Sequence, residues 1–363
     1  MSDIVNRITR RNKNNECTLP LTISAQYGLV DQISFFNKTI ASADLSNYYL
    51  LYNGDFAYNK SYSTDYEWGA VKRLDRYDKG CLSSLYIVFR PKEDLIYSDY
   101  LTHYFETKKW HRGISDIAGE GARNHGLLNM SVEDYFATKH YLPEITEQKK
   151  IASFLNLITK RIETQSKIID NLQSQIKWLC HKFFKGYKSN GKATIFDDLF
   201  VEYKELNNEN HTQYTIGKYG IKEMKDDHVA YSTNSHIVFL PCSLILGIGI
   251  DEIGVSKDLV GCCSPIYKTY KINTNILLPS FFNFYANFYF NEVKRFITQK
   301  STRREFEFDY KALHKICFNI PSIETQGEHA KLLETFMQKL QKEKDILSLY
   351  KKQKAYLLKN LFI

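Results

Sequence analysis

The seven cysteines of this 363-residue sequence never fall as C-x-x-C, and their number is odd. That spacing excludes a zinc cluster of the usual kind and a closed disulfide framework. The start, MSDIVNRITRRNKNN, lacks the apolar segment of a secretory signal. The longest apolar run, IVFLPCSLILGIGI, is broken by Pro241, Gly247 and Gly249 and falls short of the ~20 residues that cross a bilayer. A soluble, cytoplasmic protein with no membrane contact is expected.

Catalytic signatures are also scarce. GYKSNGKA (186–193) approaches a phosphate-binding loop, but Ala193 stands where a metal-binding hydroxyl is needed, and a helix precedes it. It reads as a flexible linker. GIGIDEIG (247–254) begins like a dinucleotide fingerprint, with Glu252 in place of the third glycine. There is no G-x-S-x-G elbow, no H-E-x-x-H, no methylation motif and no nuclease cluster of carboxylates with lysine. No catalytic residue and no metal ligand is singled out, which points to a binding protein.

What the sequence does have is one pattern written twice. YLPEITEQKKIASFLNLI (141–158) and NIPSIETQGEHAKLLETF (319–336) share a proline, an isoleucine two on and a glutamine three later. Pro143 and Pro321 are 178 positions apart, and that offset also joins Ile145 to Ile323, Gln148 to Gln326, Ile168 to Ile346 and Phe184 to Phe362. Upstream, KGCLSSLY resembles VGCCSPIY, and DLIYSDYLTHYF resembles NILLPSFFNFYA. The chain is two copies of one unit, each a mixed α+β globule followed by a long helix. The first copy begins abruptly, which predicts that it is short of an edge element.

The helices carry a 3.5-residue seam. In the first it runs Ile151, Leu155, Ile158, Ile162, Gln165, Ile169, Leu172, Ile176 and Leu179, ending at Phe183. In the second it runs Leu333, Phe336, Leu340, Glu343, Leu347 and Leu357, with His329 and Lys354 also on it. A lone seam cannot be buried in water, so the two helices are expected to pair as an antiparallel coiled coil. The polar residues Gln165 and Glu343 fall at equivalent positions, suited to fixing register. His329, Glu343 and Lys354 predict a weaker second seam. Core helices of one large domain are the competing reading; helix length and strict period stand against it.

Aromatics make up 14% of residues and the net charge is +8, which suits a polyanionic partner. Each globule should hold short strands, then an aromatic helix capped by Ser98 or Ser280. Behind each helix comes a polar loop. Arg112, Arg123 and Asn124 lie in the first, and Arg295, Lys300, Arg303 and Arg304 in or beside the second. Lys60, Tyr62, Lys72, Arg73 and Arg76 form another set, with Lys257 in the matching region of the second copy. Arginine and asparagine can read base edges, and lysine meets phosphate.

At this point the residues resemble a family. LPEITEQKKIASFLNLITKRIETQSKIIDNLQSQIKWLCHKFF is similar to the spacer helix of specificity subunits from type I restriction-modification systems, and IPSIETQGEHAKLLETFMQKLQ through LLKNLF is similar to the second such helix. The two-unit organisation resembles that family across the whole chain. The resemblance implies two target recognition domains (1–142 and 188–320), each reading half of a split double-stranded DNA site, and two spacer helices (143–187 and 321–363). It further implies two methyltransferase subunits and a motor-nuclease subunit as partners. S-adenosylmethionine, ATP and Mg2+ would belong to those partners, and this chain would hold no cofactor. Half-sites about 34–36 Å apart would be read from one face of the duplex. The alternative is a coiled-coil scaffold that binds proteins and no specific DNA.

Overall fold

The computed structural model describes residues 1–24, 26–38, 41–42, 44–61, 66–118, 127–209, 211–217, 220–225, 235–249, 251–300 and 307–362. They form two compact units: Met1–Gln165 with Ile346–Ile363, and Ser166–Asp345. The division cuts through both long helices rather than separating them from the globules. Each unit takes one half of each helix because each half packs on that unit's own core.

The first unit centres on a four-stranded antiparallel sheet in the order Val5–Arg7, Ile87–Pro91, Phe56–Asn59, Ala70–Arg73. Its strands alternate with period two. Phe56, Tyr58, Val71, Ile87 and Phe89 face one core, while Ala57, Ala70 and Val88 face another built with Leu21, Leu29, Leu51 and Leu82. Asn53-Gly54 turns the chain into the Phe56 strand; Gly54 has φ +86°, a left-handed conformation that glycine adopts without steric cost. The second unit repeats the plan in the order Phe200–Tyr203, Lys268–Ile272, Ser243–Leu246, Ile253–Ser256. Leu244, Leu246, Ile253, Tyr270 and Ile272 face its aromatic core, and Ile245 faces Ile216, Ile237 and Phe239.

Most of the aromatic excess is core. Tyr58 stacks on Tyr135 with centroids 4.9 Å apart, and Phe56 on Phe89 at 5.6 Å. In the second unit Phe281, Phe282, Tyr285, Phe290 and Phe318 fill the equivalent space. Such rings bury large apolar areas and set side-chain geometry by edge and offset contacts.

The aromatic helices span Ser98–Tyr104 and Pro279–Val293. Their N-caps are Tyr97 and Leu278, with Ser98 and Ser280 already inside, so the serines are not the caps that their positions suggested. Distant glutamines hold the N–H of each N-cap residue. Gln148 Oε1 accepts from Tyr97 N–H at 2.8 Å, and its Nε2 donates to the carbonyls of Leu95 (3.3 Å) and Pro143 (2.9 Å). Gln326 makes the same three bonds, to Leu278 N–H, Ile276 C=O and Pro321 C=O, at 2.8, 2.8 and 2.9 Å. That is the physical content of the repeated P-x-I-x-x-Q.

The long helices span Ile145–Asn190 and Ile323–Asn360. In the first unit, Ile151, Ala152 and Leu155 share a core with Leu357, Leu358, Leu361 and Phe362. In the second, Ile176, Leu179, Phe183, Phe184 and Tyr187 share one with Ala330 and Leu333. The start of one helix meets the end of the other in both units, which is antiparallel pairing. Among the first helix's seam residues, Ile151, Leu155, Ile158, Gln165, Ile169 and Leu172 are buried, and Ile162, Ile176 and Leu179 are half-buried. In the second, Leu333 and Leu340 are buried, and Phe336, Glu343, Leu347 and Leu357 are half-buried.

Two of the polar seam residues find partners outside the seam. Lys354 pairs with Glu106 at 2.9 Å. His329 stacks on Phe183 with centroids 3.8 Å apart and bonds the Tyr187 hydroxyl. Each polar group is thus satisfied where it is buried.

The segment after the first helix is not a flexible linker. Only Gly191 separates the helix from the strand Lys192–Ile195, which pairs with Cys317–Ile320. A Cβ on Gly191 would stand 2.7 Å from the Tyr187 carbonyl oxygen, so glycine is required for that close approach. This strand pair has no counterpart among the described residues of the first unit. Among the described residues no helix is long and apolar enough to cross a membrane, and no cluster of side chains could hold a metal.

Acid should weaken the first unit in two steps. His140 sits between the Tyr104 and Thr138 hydroxyls at 2.8 Å each, and burial pushes its pKa from 6.5 down to about 4. The unfolded chain therefore binds that proton first, and stability falls as pH drops from about 6.5 towards about 4, by at most about 3 kcal/mol. Burial alone would raise Glu106, but its bond from His103 and the Lys354 ammonium hold it at about 2 against an ordinary 4.5. Its contribution is present above about pH 4.5 and is lost from there towards about pH 2. Denaturant melts at stepped pH check both windows, and His140→Gln should flatten the first.

Candidate nucleic-acid interface

The proposed contact residues divide by what the fold does with them. Arg73 is half-buried and committed. It pairs with Asp75 at 2.6 Å and Asp99 at 2.7 Å, donates to Ser98 Oγ at 2.8 Å, and lies over the Phe56 ring. Asp99 in turn accepts from Asn156 on the first long helix at 2.9 Å. Arg73 therefore ties sheet edge, aromatic helix and long helix together, and its guanidinium is not free to meet a phosphate.

Lys60 is half-buried beside Arg7 and Tyr49 at a cavity of about 160 Å³, and its carbonyl accepts from Leu128 N–H. Arg112 is exposed on the short helix His111–Ser115, behind the buried Trp110. Lys257 is exposed and pairs loosely with Glu334 at 3.6 Å. Arg295 is exposed over the ring of Phe296, 4.6 Å from its centroid, and that ring is itself 59% exposed. Lys300 is exposed at the edge of the short pair Thr298–Gln299 and Glu307–Phe308. Tyr62, Arg123, Asn124, Arg303 and Arg304 lie outside the described residues.

The structure adds a cationic edge that sequence reasoning missed. Asp55, fully buried in the turn after Gly54, accepts from Tyr52 N–H at 2.8 Å and holds Arg10 at 2.8 Å and Arg90 at 2.7 Å. Burial pushes the Asp55 carboxyl up, while the Tyr52 N–H and both guanidiniums pull it back down. The two guanidiniums stay 38% and 43% exposed. Arg10 also lies over Tyr52 and Arg11 over Tyr49, at 4.3 and 4.5 Å. Arg10, held on a ring by a buried carboxylate, is pre-organised for a planar or phosphate partner. The run Arg10-Arg11 and the Asn53-Gly54-Asp55 turn were the available signals; pairing across 45 residues was not.

The near-motif at 247–254 has a local explanation. Glu252 accepts from the N–H groups of Ile248 and Gly249, at 2.9 and 3.3 Å, and folds the glycines into a turn on its own carboxylate.

The long helices expose a second apolar set besides the seam. In the first unit it comprises Phe154 and Leu157 from one helix and Ile346, Leu349 and Tyr356 from the other. In the second unit it comprises Leu332 from one and Ile168 and Trp178 from the other. Phe154 with Leu332, Ile168 with Ile346, and Trp178 with Tyr356 stand at the same offset of 178 as the repeat. These three pairs recur in both units, whereas Leu157 and Leu349 correspond to Thr335 and Asn171 at the same offset, and exposed Ile323 and Met337 belong to the second unit alone.

No protein-family model and no curated protein sequence matches the chain. Solved structures do. The chain is similar to the S subunit of a type I restriction-modification system from M. genitalium, with 15% identity, a TM-score of 0.56, and coverage of 100% of this chain and 94% of that one. It is similar to a chain from a structure titled for complex assembly and conformational transition of the type I R-M system, with 11% identity, a TM-score of 0.56, and coverage of 98% and 95%. The HsdS subunit from Thermoanaerobacter tengcongensis aligns over 99% of this chain and 95% of that one, with 12% identity and a TM-score of 0.49. Two tandem mixed units sharing two long helices are the S-subunit fold, and the chain has it from end to end.

Proposed function

We propose that this chain, built on the S-subunit fold throughout its length, is the non-catalytic DNA-specificity subunit of a type I restriction-modification complex. Each globule reads one half of a split duplex site, and the paired helices set the unread gap. The observation that carries this reading is the duplication in three dimensions: one sheet order and one glutamine clamp, each occurring twice, with three pairs of exposed apolar helix residues at the same offset. The three recurring apolar pairs suit two copies of one partner, which the reading assigns to methyltransferase subunits; a motor-nuclease subunit joins them. S-adenosylmethionine, ATP and Mg2+ act on those partners, in the cytoplasm with the DNA.

The test is co-expression with the neighbouring methyltransferase subunit in a methylation-free host, followed by modification-sensitive sequencing. A split motif methylated on both strands is expected. An assembled complex that leaves the host DNA unmodified would overturn the reading and favour a protein scaffold.

Phosphate contacts make a second prediction. Arg295→Ala and Lys300→Ala should each weaken duplex binding across sequences and lower the slope of log affinity against log salt by about 0.9. Titration at three salt concentrations measures it, and unchanged slopes would remove both residues from the interface.

A further inference from the structure

The first unit contains a cavity of about 520 Å³, bounded by the sheet edge at Gly69–Lys72, the segment Phe105–His111, and Ile162, Lys351, Lys354 and Leu358 of the long helices. Four ammoniums line it, from Lys72, Lys108, Lys351 and Lys354, against the single carboxylate of Glu106. That carboxylate is already engaged by Lys354 at 2.9 Å and by His103 at 3.3 Å. Lys72 is half-buried, with no hydrogen bond or ion pair among the described residues. Its pKa is lowered, first by burial, against the opposing pull of the Glu106 carboxylate, and also by the Lys354 charge. Tyr66, Phe105 and Trp110 supply aromatic wall on the same cavity.

A half-buried cation that shares one carboxylate with another ammonium is costly, and folding does not require one here. The second unit shows this. Position 354 corresponds to Ile176, which packs on that unit's aromatic core. Lys72 pairs with Ala57 as Gly254 pairs with Ile245, and a side chain on Gly254 would meet Ile216 and Ile221. The same architecture is closed with apolar groups in one copy and opened onto ammoniums in the other. The volume lies in the range of small-molecule sites.

We propose that this cavity binds a small phosphate-bearing ligand, of the nucleoside phosphate class. The phosphate is held by Lys72, Lys351 and Lys354, and the base lies against the aromatic wall. This does not depend on the DNA-specificity reading, since a free nucleotide would bind whether or not the globules read DNA.

Calorimetric titration of the full chain tests it, with adenosine monophosphate, inorganic phosphate and uncharged adenosine as probes. Saturable binding of adenosine monophosphate is expected, with adenosine at least about tenfold weaker. Lys72→Met should weaken binding by about tenfold or more, while exposed Lys342→Ala leaves it unchanged. Ligand-free Lys72→Met should melt no lower than the parent, which separates loss of binding from loss of fold. Binding that persists with a saturating short duplex identifies a free nucleotide, whereas displacement by duplex assigns the phosphate to a DNA backbone. No binding of either phosphate probe at millimolar concentration, equal binding of adenosine, or unaltered binding by Lys72→Met would overturn the proposal.

Discussion

Gln148→Leu should lower the stability of the first unit by about 3 kcal/mol, and Gln326→Leu should do the same to the second. Both amides are almost wholly buried, at 1% and 0% exposure, and each bonds three backbone groups. Leucine fits the volume but orphans one N–H and two carbonyls, and a buried unpaired group costs about 1–3 kcal/mol. Local relaxation around the leucine keeps the total below the full sum. The loss should be local first. The Tyr97 amide exchanges faster in Gln148→Leu, and the Leu278 amide in Gln326→Leu, because each loses its acceptor. Hydrogen exchange read by mass spectrometry separates the two, and unchanged protection at both segments would refute the clamp.

Phe184→Ala should cost about 4 kcal/mol, in the range of buried phenylalanine truncations. Phe184 is 1% exposed and touches four rings: Phe281 at 5.9 Å, Tyr285 at 5.2 Å, Phe288 at 5.4 Å and Tyr187 at 6.1 Å. Its repeat partner Phe362 is 3% exposed and lies 5.0 Å from Tyr100 and 6.1 Å from Tyr104. Phe362→Ala should cost somewhat less, because it has fewer ring neighbours and sits near a helix end. Phe154→Ala, at an exposed position, should change stability by about 0.5 kcal/mol or less. Guanidinium melts of the three variants give the ranking, and a loss below about 1 kcal/mol for Phe184→Ala would contradict the packing.

These two residue pairs also show what the sequence could and could not reveal. The repeat, the long helices and the seam were legible because period and register are local properties, written every three or four residues. P-x-I-x-x-Q was legible as a pattern but not as a mechanism. Gln148 holds the N–H of the residue that opens a helix some 50 positions earlier, and no window of sequence contains both ends of that bond. Ser98 and Ser280 looked like caps because they are good cap residues next to aromatic helices; both lie inside the first turn, and a distant glutamine holds the N–H of the residue that does open each helix. Arg73 looked like surface charge, yet Asp75, two positions on, was a readable hint that its charge is spent internally. Lys354 and His329 looked like seam faults because their partners, Glu106 and Tyr187, belong to other elements. Long-range polar pairing defeats local reading in each case, and the interface residues are the most affected.

Each unit is completed by the glutamine that opens one long helix and the phenylalanine that closes the other. The second unit is one continuous stretch, Ser166–Asp345, whereas the first draws its last piece from Ile346–Ile363. During synthesis, the first unit's aromatic pocket therefore stays open after its own sheet has been made, until Phe362 arrives. The unit encoded first is the one that finishes second. Its closing contacts span more than two hundred residues of chain, so they carry the larger loop-closure cost and the slower step. A ribosome pausing within the last helix, after Asp345, would hold a finished second unit and an unfinished first one, with Tyr100 and Tyr104 left uncovered for whatever binds exposed rings.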